Sequence, residues 1–187
     1  MSTGYQIKDQ QALYYLTLQI VDWVDIFTRI DYRDIFLDSI RYCQQNKGLQ
    51  VFGFVIMSNH VHIIVNSPEG ELSAIIRDLK KFTSRSFIER IEKGTESRKT
   101  WMLNQFKFSA LKHSKRSIHQ VWTHENHAIH LYIPKFTWEK LDYIHKNPVR
   151  AGIVENPEDY LYSSARNYAD MEALLDVILL DRPFITY

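Results

Sequence analysis

Residues 49–57 and 60–65 form two strand-like runs separated by only Ser58-Asn59. A connection that short joins antiparallel neighbours, so one β-hairpin is set before any other element is placed. The run 49–57 is apolar on both faces and reads as a central strand. Gly53 inside it signals the close approach of another backbone, or a bulge. The second run, His60-Val61-His62-Ile63-Ile64-Val65, puts two histidines two residues apart. Side chains alternate along a strand, so both imidazoles stand on one face, with Val61, Ile63 and Val65 on the other.

The rest of the chain arranges itself around this hairpin. Leu16, Leu18 and Ile20 alternate with Thr17 and Gln19, which predicts a first strand. A helix follows over 34–46 and stops at Lys47-Gly48. After the hairpin comes a long helix over 71–93, with Leu72, Ile75, Ile76, Leu79, Phe82 and Phe87 assigned to its inner side and Gly94 as its stop. A less regular helix is expected over 97–113, a loosely patterned fourth strand over 120–133, and a helix over 135–146 halted by Asn147-Pro148. Strand-helix-strand units need crossovers. The order is therefore that of an α+β, ferredoxin-like split βαβ fold, with an antiparallel sheet and two helices on one face. The histidine face is left for the later helix or a substrate.

The length suits a single domain over 1–187, with a core at about 10–168 and a C-terminal extension over 169–187. An apolar fraction of 45% argues against disorder. The single cysteine, Cys43, lies on the apolar stripe Phe36, Leu37, Ile40 and reads as a core thiol. The first ten residues lack an apolar signal core. The run 13–24 is too short to span a bilayer and contains Gln19 and Asp22. A cytoplasmic protein with no membrane partner is expected. The formal net charge of +1 does not advertise a duplex-binding surface. Cations are grouped locally: Lys80, Lys81, Arg85 and Arg90 on the long helix; Lys107, Lys112, Lys115 and Arg116 before the fourth strand; Lys140, Lys146 and Arg150 around Tyr143. A solvated helix face accounts for each group taken separately.

Two neutral imidazoles on a rigid strand suit a divalent ion and leave coordination positions open. Spacing disfavours three related sites. The next acid after His62 is Glu69, too distant for a cupin; Ile64 replaces the third alternating histidine of a histidine-triad hydrolase; one cysteine is too few for a zinc finger. Downstream, Trp138, Leu141 and Ile144 share one side of a helix, while Tyr143 and Asn147 lie i, i+4 on the more polar side. A phenol held beside an amide and cations is a candidate nucleophile, and a rim tyrosine is the plainer alternative.

The segment Met57-Ser58-Asn59-His60-Val61-His62, followed by Tyr143-Ile144-His145-Lys146-Asn147-Pro148-Val149-Arg150-Ala151-Gly152, resembles the single-tyrosine HUH transposases. More narrowly it is similar to the REP-associated tyrosine transposases and small insertion-sequence transposases. The stretch Pro157-Glu158-Asp159-Tyr160-Leu161-Tyr162-Ser163-Ser164-Ala165 matches their usual ending, and the resemblance covers roughly residues 10–168. It implies a ferredoxin-like sheet, Mg²⁺ or Mn²⁺ held by His60 and His62, and Tyr143 attacking a phosphodiester of single-stranded DNA to form a 5′-phosphotyrosine and release a 3′-hydroxyl. Asn147 falls where insertion-sequence relatives carry a ligating glutamine, one methylene longer. Lys140, Lys146 and Arg150 become the candidate phosphate contacts. His127 and Glu125, in the segment Trp122-Thr123-His124-Glu125-Asn126-His127, are accessory candidates for the metal or the DNA.

The expected partner is single-stranded DNA bearing a hairpin, engaged by a monomer or a homodimer. Two rival readings stay open on the residues: a hairpin-binding protein that does not cleave, and a metal-dependent hydrolase in which Tyr143 is structural.

Overall fold

The computed structural model describes residues 6–113 and 117–182. Lys115 and Arg116 of the second basic group lie outside them. A four-stranded antiparallel sheet has the order β2-β3-β1-β4, built from β1 (Tyr14–Gln19), β2 (Gln50–Ile56), β3 (His60–Asn66) and β4 (Ile129–His130). With β3 between β1 and β2, and β1 between β3 and β4, the parallel pairs are never adjacent, as the split βαβ plan requires. The fold is α+β, as expected.

The hairpin turn is held from outside. The carbonyls of Ser58 and Asn59 accept hydrogen bonds from the N–H groups of Phe27 and Ile20, each at 2.9 Å. Register then decides the faces. Leu16 pairs with Ile63 and Leu18 with Val61, so these four share one face. Thr17 pairs with His62 and Gln19 with His60 on the other.

Helices α1 (Ile30–Lys47) and α2 (Leu72–Lys93) cover the first face. Trp122, bridged to Ile20, lies on that side, with its ring 5.7 Å from Phe36 of α1 and 6.1 Å from Phe87 of α2. Its indole N–H donates to the Thr83 hydroxyl at 2.9 Å. Cys43 is buried in this core. Helix α1 closes at Gly48, whose φ of +65° is the left-handed conformation glycine adopts without strain. Helix α3 (Lys99–His113) follows α2.

Helix α4 (Pro134–Arg150) covers the opposite face. A Cβ on Gly53 would meet Leu141 Cδ1 at 2.5 Å, so the glycine admits α4 against β2. The register also shifts between Val51 and Gly53, so β2 carries a bulge as well. The free edge of β2 is closed by the C-terminal segment. Ile56 donates to the Tyr162 carbonyl (3.0 Å), Ser164 to Phe54 (2.9 Å) and Ile178 to Val51 (2.8 Å). The Pro157–Ala165 motif therefore blunts an edge that would otherwise offer unpaired backbone groups. A short helix, α5 (Ala165–Tyr168), follows.

Four sequence expectations need correction. Helix α1 begins at Ile30, earlier than the apolar stripe indicated, because Ile30 and Asp31 are exposed and only Tyr32 in that turn is buried. Phe82 on α2 is exposed, since the buried stripe runs through Leu79, Thr83 and Phe87 instead. The fourth strand is reduced to Ile129 and His130; the preceding segment follows β1 through separate contacts, Thr123 N–H to Gln19 and Thr17 N–H to Asn126, each at 2.9 Å. Helix α4 does not stop at Asn147-Pro148. Pro148 sits in the last turn, where its missing N–H costs one backbone bond, and α4 runs on to Arg150 and closes through Gly152 (φ +69°). Ile153 donates back to the Pro148 carbonyl and Gly152 to Val149, each at 2.9 Å, which is a Schellman closure.

Candidate active site

The sheet brings His60 and His62 together with ring centroids 4.7 Å apart. Helix α4 brings Tyr143 over them, its ring centroid 5.5 Å from that of His62. The two motifs, separated by some eighty residues of chain, thus meet at one place. His62 is nearly buried, at 6% exposure, whereas Tyr143 is 39% exposed and accessible to a large substrate.

Both imidazoles are held through Nδ1. His60 Nδ1 lies 2.7 Å from Asn59 Oδ1, and the Asn59 amide nitrogen donates across 3.5 Å to the Trp23 carbonyl. An amide oriented this way accepts from His60 Nδ1–H and leaves Nε2 as the lone-pair nitrogen. His62 Nδ1 lies 2.7 Å from the Tyr15 hydroxyl and 3.0 Å from the Thr17 hydroxyl. Either hydroxyl can accept a proton from Nδ1, with the same result for Nε2. Neither Nε2 has a hydrogen-bond partner among the described residues.

Burial keeps both rings neutral. It lowers the pKa of His60, and desolvation with the nearby His60 and Lys140 pushes His62 down to about 3. A neutral imidazole with its Nε2 presented is what a divalent cation binds, so the pair fits a metal. No group of three His, Cys, Asp or Glu that could hold an ion occurs among the described residues. Further ligands would have to come from an amide, water or the substrate. The Asn147 side chain turns its nitrogen toward the Tyr143 carbonyl at 3.4 Å and makes no hydrogen bond to either imidazole among the described residues.

The cations divide into two groups. Arg150 stands over the Tyr143 ring at 4.9 Å; Lys140 lies 5.9 Å from that ring and 5.1 Å from Tyr15. Lys146 instead faces Asp142 at 3.3 Å. Lys140 and Arg150 therefore put two positive charges beside the phenol. Half-buried His127 and exposed Glu125 face each other at 3.8 Å in the segment alongside β1.

Sequence reasoning missed Tyr15, Thr17 and Asn59. Tyr15 and Thr17 alternate onto the histidine face of β1, a signal available from periodicity, but which histidine they meet depends on a register linking residues 45 apart. Asn59 reads as a turn residue, and its position immediately before His60 is what lets it reach Nδ1.

A family model described as "Transposase IS200 like" matches residues 24–122, which include the histidine pair and stop short of Tyr143. No curated protein matches the chain. Among solved structures, a REP-associated tyrosine transposase bound to a REP hairpin is similar over 100% of this chain and 99% of its own, with a TM-score of 0.65 and 16% identity. That likeness covers α4 and the C-terminal segment as well, and it shows the fold. With more than half its length matched by the family model, this chain belongs to the IS200-like transposases.

Proposed function

We propose that this transposase cuts and rejoins single-stranded DNA, with Tyr143 as nucleophile and His60 and His62 as ligands to Mg²⁺ or Mn²⁺. The observation that carries the reading is the convergence of the Tyr143 ring on the imidazole pair, at 5.5 Å from His62. The solved relative is described as bound to a REP hairpin, and we take a hairpin-bearing strand as the substrate here.

The phenol oxygen attacks the scissile phosphorus in line. The Tyr143 O–P bond forms as the P–O3′ bond breaks, giving a 5′-phosphotyrosine. The proton lost by the phenol is balanced by the one the departing 3′-oxygen takes up. A 3′-hydroxyl then attacks the phosphotyrosine and the phenol regains its proton. Each step exchanges one phosphoester for another, so no nucleotide cofactor is consumed. Arg150 and Lys140, standing over the Tyr143 ring, offer positive charge to the phosphate. Tyr15, Thr17 and Asn59 hold the imidazoles with Nε2 outward. An ion bound there supplies charge neutralisation at the phosphate oxygens. Two imidazoles suit Mn²⁺ better than the oxygen-seeking Mg²⁺.

The test uses Mn²⁺ and an end-labelled single strand carrying a hairpin, resolved on a denaturing gel. A protein-linked band lost in Tyr143→Phe and in excess chelator is expected. A native mobility shift without any linked band would mean binding without cleavage. Free product that persists in Tyr143→Phe would make the protein a hydrolase with a structural tyrosine.

A further inference from the structure

Helix α3 turns apolar side chains to solvent. Met102, Phe106, Ser109 and Ala110 are buried, and the helical repeat places them on one side of α3. Trp101, Phe108 and Leu111 lie on the other side, all exposed, Leu111 at 75%. Lys107 and Lys112, also exposed, flank that row, with the Lys112 ammonium 4.2 Å from the Phe108 ring centre. Residues 97–112 carry four cations (Arg98, Lys99, Lys107 and Lys112) and no acid. A solvated helix face accounts for the lysines but not for the three large apolar residues between them. An exposed apolar patch rimmed by charge marks an interaction surface.

The opposite chemistry lies in the C-terminal segment. Residues 170–181 carry four acids (Asp170, Glu172, Asp176 and Asp181) and no cation. All four acids are exposed, and none forms a salt bridge among the described residues. Met171, Ile178 and Leu179 stand among them, exposed as well. The segment is fixed to the outer edge of β2 by the Ile178 N–H, and Gln44 of α1 donates to the Asp176 carbonyl at 2.9 Å. Helix α3 is fixed elsewhere. The Gln120 N–H donates to the Phe106 carbonyl at 2.9 Å, and the chain after Gln120 runs along β1, which β3 separates from β2. No hydrogen bond or salt bridge among the described residues joins α3 to 170–181. In one copy the basic and the acidic face stay apart.

We propose that the two faces meet between copies, α3 of one molecule docking on segment 170–181 of a second. The apolar side chains form the centre of the contact and the opposite charges its rim. Charge complementarity is what selects a second copy: four cations without an acid face four acids without a cation, each set interleaved with exposed apolar residues. Because the two faces differ, the contact is head to tail rather than isologous, and every added copy leaves one α3 and one acidic segment free. The proposal does not depend on the role of Tyr143.

Sedimentation velocity of the DNA-free full chain, over a concentration series at low and at high salt, reads the association. The weight-average mass should rise with concentration, and less steeply at high salt, where the rim charges are screened. Lys107→Glu/Lys112→Glu reverses the charge of α3, and Glu172→Lys/Asp176→Lys reverses that of the acidic segment. All four side chains are exposed, and circular dichroism checks that both variants fold. Each variant alone should self-associate about tenfold or more weakly than the parent, because like charges now face each other. Mixed in equal amounts, the two variants again present opposite charges, and association should return. A parent that stays monomeric at every concentration overturns the proposal, and so does a mixture no more associated than its separate components. If Lys107→Glu/Lys112→Glu self-associates like the parent yet loses affinity for single-stranded DNA, α3 is a nucleic-acid surface and the proposal falls as well.

Discussion

The Tyr15 hydroxyl lies 2.7 Å from His62 Nδ1, and Thr17 approaches the same nitrogen at 3.0 Å from two residues further along β1. Two hydroxyls on one ring nitrogen leave the other nitrogen without a hydrogen-bond partner among the described residues. Burial raises the Tyr15 phenol well above its ordinary pKa, so it stays a neutral hydrogen-bonding group rather than a competing nucleophile.

That arrangement predicts redundancy. In Tyr15→Phe or Thr17→Val one hydroxyl remains to hold Nδ1, and Mn²⁺ affinity should fall only a few-fold. Removing both should cost about 10- to 100-fold, the range for loss of the outer hydrogen bonds of a metal-binding histidine. Isothermal titration of the DNA-free protein with Mn²⁺ measures this independently of cleavage. Equal affinities across parent, single and double variants would show that His62 is not positioned through Nδ1.

The cations around Tyr143 should separate in the same kind of comparison. Arg150→Ala and Lys140→Ala each remove a charge standing over the phenol ring and should slow adduct formation about tenfold or more. Lys146→Ala removes a charge already facing Asp142 and should slow it much less. Single-turnover rates on one oligonucleotide decide the order, and Lys146 proving the most sensitive of the three would reverse the assignment.

Gly53 and Leu141 form a contact with no room for a methyl group. In Gly53→Ala the new Cβ would begin 2.5 Å from Leu141 Cδ1, and Leu141 is fully buried. Repacking should cost about 1–3 kcal/mol and shift α4, which carries Tyr143. Adding Leu141→Val to Gly53→Ala should recover part of that loss. Urea denaturation of the four members of the cycle reads the coupling, and strict additivity would mean that α4 does not rest on this contact.

Stability should also depend on pH through His145. This ring is buried with Nε2 2.9 Å from the Ser164 hydroxyl, and desolvation lowers its pKa to about 4. The unfolded chain binds this proton near pH 6.5 and the folded chain only near 4. Between those values the unfolded state holds more protons, so stability is complete above about pH 6.5 and declines as pH falls toward 4. From pH 8 to 5 His145 alone should remove about 2 kcal/mol. Denaturation midpoints at both values, for the parent and for His145→Gln, test this. A difference as large in the variant as in the parent would locate the pH dependence elsewhere, with buried His62 the next group to examine.

Local patterns recovered much of this molecule. The Ser58-Asn59 turn, the alternation of His60 and His62, and the polar side of α4 bearing Tyr143 are each written within a few residues. Gly48 likewise marked the end of α1. What stayed hidden depends on distant partners. The pairing of Thr17 with His62 is a matter of register, and no local period reports it. The pattern over 120–133 reads longer than β4 is because the segment before it, though apolar at Val121 and Trp122, meets β1 through scattered contacts rather than a ladder. Pro148 read as a stop because the Gly152 closure that ends the helix lies beyond it.

Trp23 extends the candidate site beyond the residues that the motifs mark. It is 63% exposed with φ at +55°, and Asp22 before it has φ at +51°. Consecutive non-glycine residues in the left-handed region cost of order 1–3 kcal/mol each and persist where surrounding structure enforces them. Here the enforcing contacts belong to the active-site turn. Val24 N–H donates to Val21, and Asn59, which holds His60, reaches the Trp23 carbonyl. An exposed indole on the loop whose backbone meets Asn59 is a platform on which an unpaired base can stack, an interaction worth about 1–3 kcal/mol per base. Trp23→Ala should therefore weaken binding of a stemless single strand about 5- to 100-fold, and Trp23→Phe should restore part of it. Because the ring is exposed, thermal stability should change little. Anisotropy titrations at fixed salt provide the measurement, and an alanine variant that binds single strands as tightly as the parent would place the bases elsewhere.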